Sequence, residues 1–592
     1  MVDLETCEDS PRTLPVNPLS VVSAISALSL AACGSGGDDP FLGDVQADTA
    51  ASLPSDSQSN GDSAPSDSSV STSSAAESDA RAKAPESDPR RASRFLQHAS
   101  MGVTEEDLNR VMGMGLDGWL EEQRHKSGNG TRWDFMNSHG FGDWRFRHAL
   151  EGIDGALWHK LITSPDTFRQ RVTLALTEIF VITPTSLANA GEWPAYGVAS
   201  FVDGIEKRAL GNYRELLEYV TLCLPMGFFL SLSNSKKADS SGREPDENYA
   251  REIMQLFSIG LYELNPDGSL RRDANGAPIE TYTLDDVTGI ARALTGWQRT
   301  GEANSFDKWQ LPLKHHAPDH EQGEKQFLGI TIPAGTDGPT TLRITLDHIA
   351  NHPNVGPFIG RQLIQRLVTS NPSAAYVQRV AATWADNGQG VRGDLFAVVR
   401  AILIDAEATD DATLTLDDYG KIREPMMRFA QWARTFNATD PSGAYNIPDL
   451  SDPADHLGQS PMRAPSVFNF FRPGYTPGNS ALGARGKVAP EMQITSEASI
   501  AGYVNFMTGV VENGAFGLRP DYYREMQLAG DPGALVARLN RMLTADQLTA
   551  PTIELIINTI NSMPADTDAQ RRARVYAAVL LTMISPDYLV QK

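Results

Sequence analysis

The residues of this sequence best suited to chemistry sit inside apolar runs, where a polar side chain needs a reason to be. In DENYAREIMQLFSIGLYEL (246–263), projection at about 100° per residue places Tyr249, Ala250, Ile253, Met254, Leu256, Phe257 and Ile259 on one apolar arc. Glu252 falls within the margin of that arc, Asn248 lies one turn behind it, and Arg251 and Gln255 lie opposite. A half-buried carboxylate has a raised pKa and suits general acid or base work. The structural alternative is an ion pair with Arg292 or Arg366. In YTLDDVTGIARALTGW, Asp286 is a second candidate acid, although Thr283 and Asp286 also have capping-box spacing. LKHHAPDHEQGEKQFLG gathers His315, His316 and His320 with Lys325, at spacings that fit no zinc motif, so His320 and Lys325 are expected to bind an anion and no metal is expected. Arg361, Arg366, Arg463 and Arg472 stand among apolar residues, and arginines in a cleft would bind carboxylate or sulfate.

Three-to-four apolar spacing recurs from Arg91 onward, in DTFRQRVTLALTEIFVI, HPNVGPFIGRQLIQRLV, GDLFAVVRAILI and REPMMRFAQWARTF. Thr104 and Asp107 mark a helix start. Long alternating runs are absent. The turn dipeptides Asp267-Gly268 and Asn275-Gly276 predict a small β hairpin within 261–283. The expected fold is mostly α, one large multi-helical domain over residues 91–592. No P-loop, dinucleotide fingerprint, nucleophile elbow or haem-attachment motif interrupts it, and no cofactor is expected.

Ahead of that domain the composition changes. Residues 34–90 carry eleven acids and three bases among Ser, Ala, Gly and Pro, and have almost nothing to bury, so a disordered tether is expected. Residues 1–33 read as a signal segment: PLSVVSAISALSLAAC is an apolar run ending at Cys33 and followed by GSGGDD. Leu30-Ala31-Ala32-Cys33 resembles a bacterial lipobox, which implies lipidation of Cys33, a membrane anchor and a place in the cell envelope. The basic n-region is thin, with Arg12 alone against four acids. The formal charge of −23 provides no basic footprint, which argues against a nucleic-acid partner.

Several strings occur in a fixed order: ASRFLQHASMGVT, RQRVTLALTEIFVI, PDENYAREIMQLFSIGLYELNPDG, YTLDDVTGIARALTGW, HEQGEKQFLG, HPNVGPFIGRQLIQRLVTSNPS, KIREPMMRFAQWAR and GQSPMRAPSVFNFFRPGY. Together they resemble the large bacterial family catalogued as domain of unknown function 1800. The resemblance implies an exported protein, commonly encoded beside an exported family similar to phosphatases and sulfatases; it supplies no activity. Where the family pattern has a histidine, this chain has Cys223 in VTLCLPMG.

The resulting expectation is an envelope lipoprotein that acts on a glycan through carboxylate acid/base chemistry. Glu252 and Asp286 would supply the acids, and Asn248, Arg251, Gln255, His320, Lys325, Arg463 and Arg472 the binding groups. The alternatives are an adaptor that works with a phosphatase- or sulfatase-like exported partner, and a metal-dependent redox protein.

Overall fold

A computed structural model describes residues 82–592; the signal segment with Cys33 and residues 34–81 of the tether expected at 34–90 lie outside the described residues. The folded body begins ahead of the expected Arg91: Ala82 is fully buried, and Glu86 pairs with Arg91 at 3.2 Å. The first long helix, α1 (Pro89–Ala99), starts where the Asp88 side chain accepts from Arg90 N. The next, α2 (Glu105–His125), is capped by Thr104 accepting from Asp107 N at 3.1 Å, as its sequence predicts. It breaks at Gly115 (φ +78°), where a Cβ would lie 2.3 Å from the carbonyl oxygen of Ala84.

Helices make up most of the body, arranged around one continuous apolar core. Two of them are buried on nearly every side: α3 (Thr167–Thr177) and, much later in the chain, a helix at Val355–Leu367. Both nonetheless carry polar side chains, including Gln170, Arg171, Gln365 and Arg366. A buried polar group must find partners inside the protein, so these two helices impose a polar layer on the middle of the core.

The stretch 246–263 forms a shorter helix than its periodicity predicts. This helix, α4 (Asn248–Gln255), ends because the hydrogen-bonding step changes. Phe257 N donates to Glu252 O and Ile259 N to Met254 O, and the chain then turns at Gly260 (φ +72°). The β-hairpin pairing expected next is present at both turns, Leu264 opposite Leu270 and Arg272 opposite Pro278, both antiparallel. Arg271 N donates to Glu263 O, Ile279 N to Arg271 O and Glu263 N to Ile279 O, so three extended pieces close into a ring. Asn354 fixes the ring to the body: its Oδ1 accepts from Leu264 N at 2.9 Å, and its Nδ2 donates to the carbonyls of Ile259 and Tyr262.

After the ring comes α5 (Leu284–Ala293), followed by the buried helix α6 (Val355–Leu367) and then α7 (Pro425–Thr435). Strands are few and short among the described residues. β1 (Trp297–Gln298) pairs with β2 (Lys314–His315), β3 (Lys325–Phe327) with β4 (Ile330–Ile332), and β5 (Lys421–Ile422) with β6 (Val590–Gln591), all antiparallel. The last pair ties the C-terminal end of the chain to the start of α7. No helix among the described residues is long and apolar enough to cross a membrane.

Candidate functional site

On α6, Phe358, Arg361, Gln362, Gln365 and Arg366 follow the i, i+3, i+4, i+7, i+8 rule and so share one face. That face forms one wall of an open cleft of about 650 Å³. The end of α4 and the ring supply the opposite wall with Leu256, Leu261, Tyr262 and Leu270, and segment 467–474 supplies the third with Val467, Phe468 and Arg472. Gln365 holds that third wall against α6, donating to the carbonyls of Ser370 (3.0 Å) and Pro473 (3.2 Å).

Two guanidiniums at this cleft lack a carboxylate partner among the described residues. Arg361 is exposed, forms no ion pair among the described residues, and has its pKa lowered by desolvation. Arg472 is exposed and lies over the ring of Phe468 at 4.6 Å, a cation–π contact that leaves its N–H groups available. An arginine normally finds a carboxylate inside its own protein; two that do not, on two walls of one cleft, are placed for an anion from outside.

The cleft floor is built differently. Glu178 and Arg366, each about 5% exposed, lie 3.6 Å apart, and Arg366 Nη2 also donates to the Glu178 carbonyl at 2.8 Å. Neither carboxyl oxygen of Glu178 accepts a hydrogen bond. Burial, and then the negative charge of Glu424, push its pKa well up. Burial opposes ionisation of Glu424 too, but Lys421 and Arg171 outweigh it and hold Glu424 low. Of the pair, Glu178 is therefore the one that holds a proton. Behind them, Lys421 Nζ lies 3.2 Å from Glu424 and 3.1 Å from Glu491, and Gln459 Nε2 donates to Glu424 at 2.8 Å.

Glu252 is 8% exposed, and burial raises its pKa to about 7, with Arg251 opposing only in part. It forms none of the expected ion pairs: Arg292 faces Glu321 at 3.9 Å, Arg366 faces Glu178, and Arg251 pairs with Glu247 at 3.5 Å. Its Oε2 is buried without a hydrogen-bond partner. It does not itself line the cleft; one helical turn separates it from Gln255 and Leu256, both in the cleft wall.

Of the other sequence candidates, two stand at the cleft and the rest lie elsewhere. Gln255 and Arg472 line the cleft, and Gln255 Oε1 accepts from Tyr282 Oη at 3.0 Å. Asn248 is exposed at the far end of α4. Asp286 is a helix cap: it accepts from Thr283 N at 2.7 Å and also takes Leu328 N at 2.5 Å, so both carboxyl oxygens serve backbone groups. His320 and Lys325 are fully buried; His320 Nδ1 contacts the Thr295 carbonyl at 2.9 Å, Lys325 Nζ donates to the Gly323 carbonyl at 3.1 Å, and burial lowers both pKa values. They hold the β1–β4 region together and present no charge to solvent. Arg463 makes a two-pronged pair with Asp154 and lies 3.4 Å from Asp449. Among the described residues, no three His, Cys, Asp or Glu side chains come together as a metal-ligand group. Cys223 is a buried thiol that donates to the Val220 carbonyl, and burial pushes it up to about 12.

Sequence reasoning passed over Glu178, although an acid between Thr177 and Ile179 in an apolar helical run is itself a signal of a buried charge. It noted Arg361 and Arg366 without placing them on one helix face.

These walls come from strings far apart in the chain: RQRVTLALTEIFVI, MQLFSIGLYEL, GPFIGRQLIQRL and NFFRPGY. The family model for "Protein of unknown function (DUF1800)" matches residues 94–590. The chain belongs to the DUF1800 family. No curated protein and no solved structure matches it. In this DUF1800 chain the cleft is thus where separate parts of the matched region meet.

Proposed function

We propose that this DUF1800 protein is an envelope lipoprotein, anchored through Cys33, that binds an acidic glycan in the cleft and works on it by carboxyl proton transfer. One observation carries the reading: Arg361 and Arg472, with no carboxylate partner among the described residues, flank a cleft lined by Glu178, whose pKa burial pushes well up, and Glu252, raised to about 7, stands one helical turn from its wall. In this reading the two guanidiniums hold a carboxylate or sulfate of the glycan. Glu252, with a pKa near 7, gives a proton to a glycosidic oxygen or takes one from water. Glu178 is the second acid of the cleft, a role that Asp286 cannot fill because its oxygens are committed to capping.

The test is a panel of acidic and neutral oligosaccharides, measured for binding and for turnover with the wild type, Arg361→Ala, Arg472→Ala and Glu252→Gln. Acidic members should bind, either arginine variant should weaken them, and Glu252→Gln should reduce turnover roughly a hundredfold or more with binding retained. Binding without turnover would instead favour an adaptor working beside a phosphatase- or sulfatase-like exported partner. No preference for acidic members would overturn the glycan reading.

A further inference from the structure

We infer that the glycan bound in this cleft carries an apolar substituent, an alkyl or acyl chain, on its acidic sugar. This rests on the reading above and narrows its substrate class. Of the twelve large hydrophobic side chains exposed among the described residues, Leu261, Tyr262, Leu270 and Phe468 all stand at this one cleft. Scattered apolar residues need no explanation, but a cluster around a concave surface does. Behind them Leu256, Leu264, Phe358 and Val467 continue the apolar lining inward.

Apart from the carboxyl groups already described, few polar side chains of the cleft are free to meet a ligand. Gln365 is used by the Ser370 and Pro473 carbonyls, and Gln255 Oε1 by Tyr282. Arg361, Arg472 and Gln362 remain; the Gln362 amide nitrogen is buried at the cleft wall without a hydrogen-bond partner. The two guanidiniums and the Gln362 amide nitrogen are donors, suited to an acid group and its neighbouring oxygen. A bare sugar would place its other hydroxyls against leucine and phenylalanine, leaving their hydrogen bonds unmade. A sugar that ends in a chain satisfies both halves of the cleft: the acid at the guanidiniums, and the chain along Leu256, Leu261, Leu264 and Leu270.

The experiment measures calorimetric binding of four probes to the full chain, below micelle concentrations: octyl glucuronide, glucuronic acid, octyl glucoside and octanoate. Octyl glucuronide should bind at least about tenfold tighter than each of the other three, since both the buried chain and the acid contribute. Leu261→Ser, at an exposed position, should narrow its advantage over glucuronic acid, and Arg361→Ala its advantage over octyl glucoside. If glucuronic acid binds as tightly as octyl glucuronide, the apolar inference falls and the glycan reading stands. If octanoate binds as tightly, the sugar contributes nothing and both fall. If octyl glucuronide does not bind, this inference falls, and the oligosaccharide panel alone decides the glycan reading.

Discussion

Replacing Glu252 with Gln should make the protein more stable above neutral pH and leave it unchanged in acid. In the fold the carboxyl holds its proton to about pH 7 because burial disfavours the anion, against an ordinary value of 4.5. Between those values the folded chain binds more protons than the unfolded chain, so stability falls as pH rises through this window and is level above it. Each tenfold in proton affinity corresponds to about 1.36 kcal/mol, so the full fall is about 3 kcal/mol. Gln keeps the shape of the side chain and cannot ionise. The variant should therefore gain up to about 3 kcal/mol over wild type at pH 8 and nothing at pH 4. Urea unfolding of both proteins at several pH values measures this, and the difference between them cancels groups that titrate in common. Two results would refute the reasoning. A difference that does not vary with pH would mean that Glu252 is not held protonated. A variant weaker than wild type by about 3 to 5 kcal/mol at pH 8 would mean that the carboxylate serves a buried cation after all.

Glu424→Gln should be destabilising by about 3 to 5 kcal/mol, because it strips the acid that faces Lys421 and Arg171 deep in the core; chemical denaturation at neutral pH reports it. Gly289→Ala should cost about 1 to 3 kcal/mol by thermal or chemical unfolding, since a Cβ there would lie 2.0 Å from the Gln326 carbonyl, where α5 rests on β3. Cys33→Ser should release the protein from membranes and end its labelling by palmitate in cells; continued partition with membranes would reject the anchor.

Helical architecture was legible from Arg91 onward because apolar spacing at three and four residues depends only on local geometry. So was the cap at Asp286: Thr283 and Asp286 lie three apart, and each needs only the other's backbone. The unpaired state of Glu252 was not legible, because it depended on where Arg292 and Arg366 would go, and each found another acid. Nor was the cleft, whose cations come from positions 361 and 472 and whose floor comes from 178; only the packing of distant helices brings them together. His320 and Lys325 show the converse error. Their polarity suggested an exposed binding loop, yet each is fully buried with a contact to a backbone carbonyl, which a sequence does not distinguish from a ligand contact. The ring at 261–282 was half readable: Gly268 (φ +78°) and Gly276 (φ +83°) make the two expected turns, whereas closure through Glu263, Arg271 and Ile279 is a tertiary outcome.

The most direct measurement is a crystal structure of the full chain with an acidic oligosaccharide. The acid group should lie within hydrogen-bonding distance of both Arg361 and Arg472, with the sugar between α6 and segment 467–474. An oligosaccharide bound elsewhere on the body, with these two guanidiniums touching only solvent, would contradict the assignment of the cleft.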